Sequence, residues 1–91
     1  MYAVRLTLIP PASASDAART AATAKVLNDL FWAHSLPSDQ MEHVHARVEP
    51  NVVYLTLFMK AVSVRHAEDA ARLLGLRVLA VPPLSGWSCA N

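Results

Sequence analysis

His43, His45 and Arg47 recur at every second position, as do Tyr54, Thr56, Phe58 and Lys60. The residues between them are Val44, Ala46, Val48, Val53, Leu55, Leu57 and Met59. Successive side chains on a strand point to opposite faces. The spacing therefore predicts two strands with one apolar face and one face mixed in chemistry. On the mixed face an imidazole gains or loses its proton near neutral pH, which makes His43 and His45 the candidates for acid/base catalysis. Arg47 suits an anionic group, Tyr54 can donate a hydrogen bond, and Phe58 adds aromatic surface. Arg5 joins them from the alternating segment near the start of the chain. These four are the candidate ligand-binding residues.

Other chemistry fits the same residues less well. His43 and His45 lie about 6–7 Å apart along a strand and could chelate one ion, but a site needs three or four ligands. His34, His66 or Glu49 would have to come from elsewhere in the fold or from a second subunit. No metal and no cofactor is expected. Two solvated histidines on an edge strand, where polar residues discourage aggregation, account for the pair equally well. Tyr54 and Phe58 could stack on bases. Arg5 and Thr7 stand where a further aromatic would be needed, however, and a net charge of +1 supplies no general field for nucleic acid or an anionic membrane. Cys89 has no evident activating base. Trp32, beside Phe31, suits packing or an interface, and Arg65, Glu68, Asp69 and Arg72 suit a solvated helix face.

The elements that must position the mixed face follow from the rest of the pattern. Residues 2–9 alternate and end at Pro10-Pro11, which cannot donate to a ladder. Ser13-Ala14-Ser15-Asp16 offers helix caps, and the Ala-rich stretch to His34 predicts a helix whose bulky residues, Val26, Leu27, Leu30, Phe31 and Trp32, come late. Pro37 closes it. Met41–Glu49 and Val52–Lys60 form a hairpin around Pro50-Asn51. Pairing Val48 with Val53 brings every apolar residue to one face and sets His43 against Phe58, His45 against Thr56 and Arg47 against Tyr54. Pro50 cannot take the positive φ that a two-residue primed turn needs, which predicts a four-residue connection, Glu49 to Val52, around a type I turn. Ser63 is expected to cap a second helix, with Ala67, Ala70, Ala71 and Leu74 inward and Gly75 as its stop. Leu76–Val81, apolar at nearly every position, reads as a fourth strand buried on both faces. Leu84–Asn91 has no period long enough to assign.

The order β-α-β-β-α-β, with right-handed crossovers, resembles a ferredoxin-like two-layer α+β sandwich. This implies an antiparallel four-stranded sheet of order 4-1-3-2 with both helices on one face. It is a resemblance of fold alone and carries no function. Residues 1–81 are expected to form the domain and 82–91 a tail.

Of the 91 residues, 54% are hydrophobic and 16% charged, against averages of roughly 45–50% and about 25%. A chain this short has little polar surface with which to cover itself, so association between copies is expected. The single Cys89 and the opening segment, which has no basic stretch leading into an apolar run, predict a cytoplasmic protein without a signal peptide. Arg outnumbers Lys six to two, which suggests a bacterial source rich in G and C. No apolar run approaches the roughly 20 residues that span a bilayer. The expectation is a small bacterial binding or accessory protein. It self-associates through the open sheet face, with a small-molecule ligand as its other candidate partner. The alternative is a small enzyme of the dimeric α/β-barrel type with His43 or His45 in its cavity.

Overall fold

Alternation builds the sheet. The computed structural model describes residues 1–11 and 24–90. Strands β1 (Tyr2–Ile9), β2 (Met41–Glu49) and β3 (Val52–Met59) fall where the alternation runs, and a two-residue strand β4 (Ser88–Cys89) completes the sheet. All pairings are antiparallel and the order is β2-β3-β1-β4, which from the other edge reads 4-1-3-2. Two helices, α1 (Ala24–His34) and α2 (Val64–Leu79), complete an α+β chain. The cap at Ser13–Asp16 and the Ala-rich first half of the expected first helix lie outside the described residues.

The hairpin keeps the register that places its apolar residues together. Val48 pairs with Val53, Ala46 with Leu55 and Val44 with Leu57. Pro50 and Asn51 link the strands without a positive φ, as a type I turn allows and the primed turns do not, but Glu49 pairs with Val52, so two residues and not the expected four make the connection. The register shifts between Met41 and His43, leaving Glu42 as an extra residue. Such a bulge turns residues two apart to opposite sides. Met41 is buried while His43 is exposed.

One core unites alternate residues of the sheet with both helices. It contains Val4, Leu6, Leu8, Val44, Ala46, Val53, Leu55, Leu57 and Met59, with Leu27 and Phe31 from α1 and Ala67, Ala71, Leu74 and Val78 from α2. Ser63 caps α2 by accepting from the His66 amide at 3.2 Å, and Ala70 lies half-buried at the margin of its inner face.

Two expectations are corrected. Gly75 does not end α2, and Leu76–Val81 is not a strand. The helix runs on through Gly75 to Leu79 and is capped at Ala80. The inward spacing of Ala67, Ala71, Leu74 and Val78 continues past the glycine at three- and four-residue intervals, which a strand would not preserve. Gly75 is there for proximity: a Cβ on it would lie 2.9 Å from Leu6 Cδ1. The apolar residues that suggested a doubly buried strand divide around the helix instead. Val78 enters the core, while Leu76, 56% exposed, faces outward, as does Leu73 one turn earlier in the helix, 61% exposed.

The fourth strand comes from the segment beyond residue 81. Pro82–Leu84 makes one turn of 3₁₀ helix, and Gly86 takes a φ of 85° that suits glycine. Leu8 then pairs with Cys89 and Ile9 with Ser88. Leu84 is buried, and Trp87 and Cys89 pack against the core.

An ion pair ties the helix ends together. Arg77 Nη1 donates to the Asp39 carboxylate at 2.9 Å and to the His34 carbonyl at the end of α1 at 2.7 Å. Asp39, whose side chain is 8% exposed, also accepts from the Leu36 amide at 2.7 Å. The guanidinium thus satisfies a C-terminal carbonyl of one helix from the last turn of the other.

Candidate functional site

The outward parity of β1, β2 and β3 forms three rows across the sheet. Arg5, Thr56 and His45 make one row, Thr7, Tyr54 and Arg47 a second, and Ala3, Phe58 and His43 a third. β3 lies between the other two strands, so its Tyr54, Thr56 and Phe58 are half-buried by neighbours. Arg5, His43, His45 and Arg47 are exposed on either side.

Tyr54 is the centre of the arrangement. The Arg47 Cζ lies 5.0 Å from its ring centroid and the Arg5 Cζ 5.9 Å. Both fall within the about 6 Å over which a cation is drawn to a ring face. A depression of about 140 Å³ opens here, lined by Arg5, His45, Arg47, Tyr54 and Thr56. Arg47 also meets Glu49 at 3.4 Å, with 66% of the Arg and 44% of the Glu side chain exposed. A charge-assisted hydrogen bond is typically about 2.7–2.9 Å, and an exposed, longer pair contributes little.

The expected site residues divide into two groups. Arg5, His45, Arg47 and Tyr54 come together around the depression. His43 and Phe58 pair with each other one row away, with ring centroids 5.8 Å apart and planes tilted by 39°, and do not line it. The two histidines therefore have different surroundings. Among the described residues no three His, Cys, Asp or Glu side chains gather as a metal centre would require. Thr56 lines the depression and was not among the nominated residues. Its signal was its place opposite His45 in the hairpin register, and the β1–β3 register then sets it beside Arg5.

Chemically, the depression offers two guanidiniums, an imidazole, a phenol and a hydroxyl, every one able to donate a hydrogen bond. Among the described residues no carboxylate lines it. That set receives negative charge; it does not pair a nucleophile with an oriented base, the arrangement of covalent catalysis.

A second depression, of about 270 Å³, lies beside the start of α2 and is lined by residues that include Ser38, Asp39, Lys60 and His66. Its carboxylate, Asp39, is already held by Arg77. The His66 Nδ1 is 3.4 Å from Ser63 Oγ in the helix cap.

The fold and site together define a small α+β chain with a cationic, aromatic sheet face. Comparison with protein-family models, with curated proteins and with solved structures found no significant match. No helix among the described residues is long and apolar enough to cross a membrane.

Proposed function

We propose that this protein is a ferredoxin-like sandwich, with both helices on one side of its sheet, that self-associates through the open face and binds a small molecule there. In this reading it is an accessory protein of the bacterial cytoplasm. The carrying observation is the half-buried strip Val52, Tyr54, Thr56 and Phe58 flanked by exposed Arg5, His43, His45 and Arg47. Aromatic residues and Arg are the types enriched at interfaces, whereas Lys and Glu are depleted there. A second copy is the occupant that fits. In a two-fold pairing the same patch meets itself, so Arg of one copy can reach the aromatic rings of the other. The low charge content favours this as well, because it leaves little polar surface to spare.

Sedimentation equilibrium on the wild type and on Phe58→Glu tests the proposal. The expected wild-type mass is twice the 9.9 kDa of one chain, falling to one chain in the variant. A wild type that stays monomeric as it is concentrated, or a variant that remains paired, would refute it. The enzyme reading retains one specific observation, that His45 lines the depression. It requires His45→Ala to abolish a turnover that His43→Ala leaves intact.

A further inference from the structure

We infer that the depression around Tyr54 is an oxyanion site, taking the carboxylate or phosphate group of a small molecule, and that a second copy completes it. The inference rests on the self-association reading above and adds the class of ligand.

Three observations converge on it. The first is the lining, which among the described residues presents five donor-bearing side chains and no carboxylate. Guanidinium is planar and forked, and so matches carboxylate and phosphate oxygens. The second is the placement of two guanidiniums about one ring. Arg5 and Arg47 both lie within 6 Å of the Tyr54 ring centroid, at 5.9 and 5.0 Å. The ring holds both beside the depression that they line. Glu49 touches Arg47 at 3.4 Å from the rim, a loose and exposed contact that a tighter acceptor can replace.

The third observation is size. About 140 Å³ is well below the roughly 300–1,000 Å³ of small-molecule pockets. One copy has room for the anionic group, and the remainder of the ligand needs a roof. Two such depressions facing each other approach the lower end of that range. Face-to-face pairing would also bring the guanidiniums of both copies together, so a bound anion strengthens the association. Ligand and partner must then strengthen each other's binding by the same factor.

The test is calorimetric titration of the purified protein with sodium phosphate and, separately, with sodium acetate, at constant ionic strength, with sedimentation equilibrium on the same samples. The two arms separate a phosphate-bearing from a carboxylate-bearing ligand. At least one anion is expected to bind saturably and to shift the protein toward the pair. Arg5→Gln or Arg47→Gln should weaken that binding about tenfold, and the double variant should lose it. Lys60→Gln, outside the depression, should bind as the wild type does. Arg5 and Arg47 are exposed, so the folds of these variants should persist, and circular dichroism checks this. Absence of saturable binding overturns the inference. So does binding that the double variant retains, which would mean an adventitious ion only. A pair that forms without binding either anion refutes the oxyanion site and leaves self-association standing. Arg-dependent binding by a permanent monomer refutes the self-association reading and the shared site.

Discussion

The two faces of the sheet are made from the same strands and differ in almost everything else. Leu55 and Tyr54 are chain neighbours. Leu55 is fully buried among core residues, while Tyr54 is half-buried with Arg5 and Arg47 over its ring. The inner face is uniformly apolar and strict in volume, because packed interiors accept apolar side chains only of the right size. The outer face is loose in packing and particular in chemistry. Strand period allows one segment to serve both, provided the register never slips by one residue. The extra residue at Glu42 marks where that constraint ends, since it turns Met41 inward and His43 outward.

The largest expected contrast comes from neighbouring truncations. Leu55→Ala should lower folding stability by about 2–5 kcal/mol through lost burial and a cavity. Tyr54→Ala should cost about 1–2 kcal/mol, from strand preference and ring–cation contacts. Urea denaturation at a concentration where the chain is monomeric separates them. Equal losses would erase the distinction between the faces.

Next comes the ion pair that ties the helix ends together. Arg77→Ala should cost about 2 kcal/mol, since it removes the cation from a buried carboxylate that keeps only the Leu36 amide, and a donor from a helix-end carbonyl. A midpoint unchanged in thermal unfolding would contradict this role. Gly75→Ala should change stability by about 1 kcal/mol or less. The gain in helix preference, about 1 kcal/mol, opposes the 2.9 Å approach to Leu6 Cδ1, which that side-chain tip can relieve by a small shift. Gly75→Val should be clearly worse in the same denaturation experiment. The smallest effect belongs to Glu49→Gln on the outer face, a few tenths of a kcal/mol at most. If the oxyanion site is real, this variant should bind phosphate or acetate as tightly as the wild type or more so.

Much of the sheet was legible because its signal is local. Period two identified β1, β2 and β3, and parity set the hairpin register before any contact was known. The end of the fold was illegible for reasons particular to Gly75 and to Leu76–Val81. A glycine after a helical stretch reads as a stop, and nothing in its own neighbourhood reveals that Leu6, far away in sequence, needs the space. An apolar run suits a buried strand and a helix equally well, and Arg77 shows which it is only through Asp39 and His34. Two residues are too few for period to reveal β4. The candidate site was legible to the level of the face. Arg5, His45, Arg47 and Tyr54 were nominated and do line one depression. That His43 lies against Phe58 was legible from the register; that the depression stops short of both was not, because parity places a side chain on a face and does not shape the space between its neighbours.

The central claim is that the molecule meets its partner with the outer face of the sheet. Backbone amide shifts followed by NMR as the protein is concentrated test it most directly. The account predicts changes gathered on the three rows from Arg5 to His45, Thr7 to Arg47 and Ala3 to His43, with α2 unaffected. Changes centred on the exposed Leu73 and Leu76 of α2, or no change at any position, would contradict it.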